Sequence, residues 1–146
     1  MYASCEPHGR VPRRHVEHDP FWLEHAQPGA LYAAALLGGL AVGLGAFGAH
    51  AMKASYDEVA LRTFETGVRY QMYHALALLG CGALQAAGYP TRTAALLFVV
   101  GAALFSGSLY GLALFDLRWL GPVTPIGGVA FLAGWVALLF ASRKRA

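Results

Sequence analysis

Two histidines sit in otherwise apolar sequence: His50 closes Gly45-Ala46-Phe47-Gly48-Ala49-His50, and His74 closes Tyr70-Gln71-Met72-Tyr73-His74. Imidazoles on adjacent helices can serve as paired axial ligands for haem iron, and the glycines ahead of His50 leave space for a flat macrocycle or a quinone ring. Met52 and Met72 lie close to them in the chain, and thioethers are soft ligands suited to Cu(I). Against these readings stands a simpler one, in which each ring hydrogen-bonds a hydroxyl or a carbonyl and sets helix register. That reading carries the greater weight, because polar contacts between membrane helices are individually modest and commonly structural. No cofactor and no metal site is assigned.

The remaining polar residues point the same way. Glu65 and Arg69 have the i,i+4 spacing and order of a helix ion pair, which neutralises the carboxylate locally and argues against a proton relay. Ser106 and Ser108 flank Gly107 without a strand–turn–helix elbow or a neighbouring base–acid pair, so both read as helix-packing hydroxyls and not as nucleophiles. Tyr110 follows on the same segment, and Thr124-Pro125 reads as the cap and first turn of a helix. No catalytic residue is expected, and the protein is read as a non-enzyme.

The elements that must position these groups follow from composition. The chain has 146 residues, 57% hydrophobic and 13% charged, with a mean hydropathy of +0.47, whereas soluble domains carry about 25% charged residues. A bilayer core of about 30 Å needs ~20 apolar residues as a helix. The pattern predicts an all-α membrane protein, a four-transmembrane-helix bundle occupying 30–142, with spans at about 31–52, 68–87, 94–115 and 123–141. Residues 1–29 read as a polar, disordered arm broken by Pro7, Pro12, Pro20 and Pro28, and 143–146 as a basic tail. The arm's His8, His15, His18 and His25, with Cys5, lack rigid metal-ligand spacing, and no signal-peptide cleavage site follows them.

Span one is rich in glycine. Gly39 and Gly43 form a GxxxG pair, with Gly45 and Gly48 beyond, so this helix is expected either at the centre of the bundle or on a dimerisation face. Gly107 and Gly111 are expected to let span three pack closely in the same way. Ser55-Tyr56-Asp57-Glu58 matches a capping box with Ser55 as the cap, and the charged, amphipathic run after it predicts an interfacial helix between spans one and two.

With four spans, both termini share a side with the connector that holds Arg92. That side carries Arg10, Arg13, Arg14, Arg92, Arg143, Lys144 and Arg145, against Lys53, Arg62, Arg69 and Arg118 opposite, which places both termini in the cytoplasm. The net charge of +3 reflects these flanking residues, and no basic patch suited to nucleic acid is present in the pattern. The topology also gathers His50, Glu65, Arg69, Tyr70, Gln71, His74, Ser106, Ser108, Tyr110 and Thr124 toward one membrane face as a polar layer. Positions 67, 70, 71, 74 and 78 share a helix face, which is expected to point inward.

Gly45-Ala46-Phe47-Gly48-Ala49-His50, Tyr70-Gln71-Met72-Tyr73-His74-Ala75, Phe105-Ser106-Gly107-Ser108-Leu109-Tyr110 and Gly121-Pro122-Val123-Thr124-Pro125-Ile126-Gly127-Gly128 together resemble the YgdD/YwdK-type membrane proteins. This is the domain of unknown function 423 family, to which transmembrane protein 256 is similar. The resemblance implies a small multi-pass protein of the bacterial inner (plasma) membrane and carries over no catalytic or binding residue. Three functions are open on the residues themselves. The first is an accessory or assembly protein whose glycine-rich helices dock a homo-oligomer or a larger membrane complex. The second is a haem-, quinone- or metal-binding protein using His50 and His74, and the third a dimeric small-solute transporter relying on His74.

Overall fold

Between Pro28 and Pro90 the chain contains no proline, and its apolar residues are mostly alanine and leucine, which favour helix. The computed structural model describes residues 28–141 and 143; residues 1–27 of the polar arm expected over 1–29, and residues 142 and 144–146, lie outside the described residues, while Gly29 already belongs to the first helix. Helix α1 runs Gly29–His50, α2 Glu58–Ala86, α3 Arg92–Phe115 and α4 Val123–Ala141. Short 3-10 turns at Met52–Ala54 and Arg118–Leu120 occupy two of the connections. Among the described residues there is no strand.

Local chemistry explains the breaks. Helix α2 starts at Glu58, so its cap is Asp57, whose carboxylate accepts from the Ala60 N–H at 2.7 Å. The predicted cap, Ser55, instead ends the preceding 3-10 turn. At the other end Gly88 takes a left-handed φ of 86°. The Gly88 and Tyr89 N–H groups bond the Gln85 and Leu84 carbonyls at 2.9 and 3.0 Å, the pattern of a Schellman stop. Helix α3 ends on Asp116 at φ 50°, a conformation aspartate tolerates better than most residues. Helix α4 begins at Val123, one residue ahead of Thr124, so Thr124 lies inside the first turn and does not cap it.

Helix α2 is one uninterrupted element of 29 residues, about 43 Å long at 1.5 Å per residue. The charged run expected as a separate interfacial helix is simply its first turns, because nothing in Glu58–Val68 breaks helix. Consecutive helices pack antiparallel. On α1, Gly48 faces Phe64, Gly45 faces Val68 and Gly38 faces Ala75, while Leu31 lies over Gly82. On α3 and α4 the pairs are Gly127 with Phe105, Gly101 with Phe131, and Gly134 with Phe98. One buried cluster gathers Ala34, Leu78, Cys81, Ala94, Phe98 and Phe131. A smaller one gathers Met52, Phe64 and Ala113, so Met52 is a packed apolar side chain.

Around this core the surface is apolar. Tyr32, Leu36, Val42, Val129, Leu132 and Phe115 are all exposed. Gly29–Ala54, Arg92–Phe115 and Arg118–Ala141 are long and apolar enough to cross a membrane. Helix α2 has the length, but Arg69, Gln71, His74 and Gln85 lower its hydropathy below theirs.

Candidate functional site

The buried face of α2 is a row of residues at helical spacing: Phe64, Gly67, Gln71, His74, Ala75, Leu78, Cys81 and Gly82. Tyr70, expected on this face, is 41% exposed and lies at its edge. The polar residues of the row form two nodes.

At the first node Gln71 stitches three helices. Its Nε2 donates to the Leu37 carbonyl of α1 at 2.8 Å, and its Oε1 accepts from the Tyr110 hydroxyl of α3 at 2.9 Å. A helix carbonyl already accepting one backbone bond keeps a second lone pair, which Gln71 uses. Tyr110 can lie flat here because Gly67 has no side chain; a Cβ at Gly67 would stand 2.8 Å from its ring. Just above, the Ser106 hydroxyl donates to the Gly67 carbonyl at 2.8 Å.

His74 is the second node. The Trp135 indole N–H of α4 donates to its Nε2 at 3.3 Å, and Nδ1 lies 2.8 Å from the Tyr70 carbonyl. Tryptophan can only donate, so Nε2 must accept and the proton of the neutral ring must sit on Nδ1, donating to Tyr70. Both ring nitrogens are therefore engaged in helix-to-helix and intrahelical bonds. The ring stacks on Phe131 with centroids 3.4 Å apart and planes 6° from parallel, and Phe98 lies 5.4 Å away, tilted by 50°. Burial of this imidazole is thus paired with full hydrogen bonding, as an apolar environment requires.

Phe98, Phe105, Phe131 and Trp135 were not among the residues singled out by sequence. A signal existed: Phe131 and Trp135 are i,i+4 on span four, and Phe98 and Phe105 are i,i+7 on span three, both same-face spacings. A further feature has no sequence signature, a π-helical turn at Ala102–Ser106 within α3. Phe105 lies in it and packs on Tyr70 at 4.7 Å and on Phe131 at 5.6 Å. Single widened turns of this kind are frequent at functional sites. Tyr70, His74, Phe105, Phe131 and Trp135, with neighbours on α4, line a groove of about 440 Å³ among α2, α3 and α4.

Not every expected residue joins this layer. His50 is exposed at the end of α1. The antiparallel register sets it level with the turn before Phe64, and His74 lies about 16 Å further along the axis. Ligands of one metal ion stand about 2 Å from it, so the structure does not bring His50 and His74 together as a pair. Glu65 and Arg69 form a loose ion pair of 3.7 Å on the exposed side of α2. Ser108 bonds the Thr124 hydroxyl at 2.7 Å and the Phe105 carbonyl at 2.9 Å, tying the start of α4 to α3.

The glycines divide likewise. Gly45 and Gly48 face α2, and Gly111 lies under Leu120, whereas Gly39, Gly43 and Gly107 have no atom within 4 Å of an added Cβ. Gly107, expected at a helix contact, is exposed, while Ser106 and Ser108 on either side of it are buried. Chemically, the buried Gln71, His74, Ser106 and Ser108 are each hydrogen-bonded to a neighbouring helix.

Comparison with known proteins finds membrane-protein relatives. Residues 44–128 match the family described as Protein of unknown function (DUF423). The chain is 42% identical over 115 residues to the UPF0382 membrane protein YwdK of Bacillus subtilis (strain 168), covering 72% of this chain and 88% of that protein. It is also 42% identical over 111 residues to the UPF0382 inner membrane protein YgdD of Escherichia coli (strain K12), covering 75% and 85% respectively. The UPF0382 membrane protein SH2409 of Staphylococcus haemolyticus (strain JCSC1435) is 42% identical over 106 residues, covering 72% and 87%. No solved structure matches the chain.

Proposed function

This chain belongs to the DUF423 family of membrane proteins, and from that premise we propose that it is a non-enzymatic accessory or assembly protein that holds other membrane helices. The supporting observation is the orientation of the α1 glycines. Gly38, Gly45 and Gly48 lie against α2, while Gly39 and Gly43, the GxxxG pair, face outward with open space around them. Close backbone approach at such a pair strengthens helix association in lipid, where hydrophobic drive is lacking. A homo-oligomer or a larger membrane complex is the partner this surface suits.

In this reading all of α2 from about Val68 crosses the bilayer as a fourth span, within a membrane domain over 30–142. Its polar residues Gln71 and His74 bond to neighbouring helices and so need no water. The turns from Glu58 to Phe64, carrying the exposed Arg62–Glu58 pair, lie at the membrane surface. Both termini are on the cytoplasmic side, where the sequence puts its excess of Lys and Arg; reporter fusions at each terminus test that orientation.

Assembly is tested by cross-linking in native membranes and by size-exclusion chromatography with light scattering in mild detergent. Gly43→Leu is expected to abolish association and leave helicity and thermal stability unchanged. Association that survives both Gly39→Leu and Gly43→Leu would overturn the proposal.

A further inference from the structure

The two ends of the helix array differ in charge. Where α1 and α3 finish, Lys53, Arg62, Arg69 and Arg118 are matched by Asp57, Glu58, Glu65 and Asp116, with Arg62–Glu58, Arg69–Glu65 and Arg118–Asp116 in ion pairs. At the opposite end the described residues contribute Arg92 and Arg143 and no carboxylate side chain. A cavity of about 380 Å³ opens at that end between α1, α2 and α3. Gly29, Gln85 and Arg92 form its polar part, and Leu78, Leu96 and Val99 its apolar wall.

Each polar feature favours an anion with a hydrogen-bonding group beside it. Arg92 is the first residue of α3, where the helix dipole is positive and a cation is disfavoured unless an anion adjoins it. Neither α1 nor α3 has a side-chain cap. Pro28 has no group to offer, and the Thr91 hydroxyl donates instead to the Cys81 carbonyl at 2.8 Å. The first-turn N–H groups of α3 are thus left to an outside acceptor. The Gln85 amide oxygen is enclosed and has no hydrogen-bond partner. Buried amides are almost always bonded, and a half-turn of this one exchanges its acceptor and donor ends.

We propose that this cavity binds an anionic phospholipid, its phosphate held by Arg92 and the start of α3, a headgroup hydroxyl by Gln85, and an acyl chain along the apolar wall. Basic pockets between membrane helices bind lipid headgroups in this manner. The apolar wall selects a lipid over free phosphate, which would gain nothing from Leu78, Leu96 or Val99.

The full-length protein, exchanged in detergent into phosphatidylglycerol or phosphatidylcholine, is examined by native mass spectrometry for retained lipid. Phosphatidylglycerol is expected to be retained about fivefold more strongly, in keeping with one basic residue at an anionic headgroup. Arg92→Gln should remove the preference and Arg92→Lys restore most of it; circular dichroism verifies that both variants remain folded. Gln85→Leu should weaken retention of phosphatidylglycerol and leave phosphatidylcholine unchanged. Arg143→Gln, at the same end but off the cavity, should change nothing. Equal retention of the two lipids overturns the proposal, as does an Arg143→Gln effect equal to that of Arg92→Gln, which would mean a diffuse basic surface. Displacement of the lipid by millimolar inorganic phosphate, lost in Arg92→Gln, would make it a free-anion site and also overturn it.

Discussion

The seam between α1 and α2 and the seam between α3 and α4 both contain glycines, but they use them differently. On α1 the inward Gly38 and Gly45 have room, unlike Gly48, whose added Cβ would stand 3.1 Å from the Phe64 ring: a Cβ at Gly45 would stand 3.5 Å from Val68, and one at Gly38 would stand 3.8 Å from Ala75. These are ordinary contact distances. Across the second seam there is none to spare. A Cβ at Gly134 would stand 2.6 Å from Phe98, one at Gly101 would meet the Phe131 ring, and one at Gly127 would run into the Phe105 backbone. Glycine density is thus a poor guide to glycine necessity. The indispensable glycines sit opposite aromatic rings and backbone in the helices that carry fewer of them, while the glycine-rich helix turns two of its glycines outward.

That contrast can be broken most severely at Gly127. Backbone cannot rotate aside as a side chain can, so Gly127→Leu is expected to destabilise by about 3 kcal/mol or more, read as loss of monodisperse protein or a collapsed thermal midpoint in detergent. Next comes His74→Ala, which removes a ring stacked on Phe131 and in tilted contact with Phe98, and strands the Trp135 N–H. A cost of about 2–4 kcal/mol is expected, with a red-shifted Trp135 emission compared against a Trp135→Phe background. Gln71→Leu should cost only about 1 kcal/mol, since polar contacts between membrane helices are modest. Its measured signature would be faster hydrogen exchange in α1 around Leu37 than in α4. Gly45→Ala sharpens the comparison from the tolerant side, with an expected change within about 0.5 kcal/mol; a loss as large as that of Gly134→Ala would show that the two seams are equally tight. Smallest of all, Glu65→Gln should shift stability by less than about 0.5 kcal/mol, because its ion pair is exposed.

Much of the architecture was legible beforehand. Long apolar runs bounded by Pro28, Pro90, Asp116 and the terminal basic residues marked helices, since backbone in hydrocarbon must bond within its own segment. The inward stripe of α2 followed from spacing, and Gln71 and His74 were found on it. Less legible were partners. Nothing local to His74 shows that its ring will stack on Phe131, 57 positions later, or meet the Trp135 indole. The pairing of His50 with His74 was drawn from their sequence settings, and the antiparallel register sets them on different levels. Helix starts differ by small shifts: Asp57 caps α2 in place of the neighbouring Ser55, two polar residues that compete for the same orphan N–H groups, and α4 starts at Val123, so that Thr124 falls inside its first turn.

By itself the sequence determined that this is a helical membrane protein, which segments form its helices, and which residues on α2 are polar inside an apolar setting. Hydrophobicity and helical periodicity are local properties, summed over a dozen or more neighbours, so one chain suffices to read them. Only the tertiary structure decided which glycines are enclosed and which lie open, where the π-turn falls, and that His74 is bonded at both nitrogens. These depend on the azimuth and register of one helix against another, where a single residue of shift turns a side chain by about 100°. In a chain built so largely of alanine, leucine and glycine, many registers look alike until the large rings are set against the places without side chains.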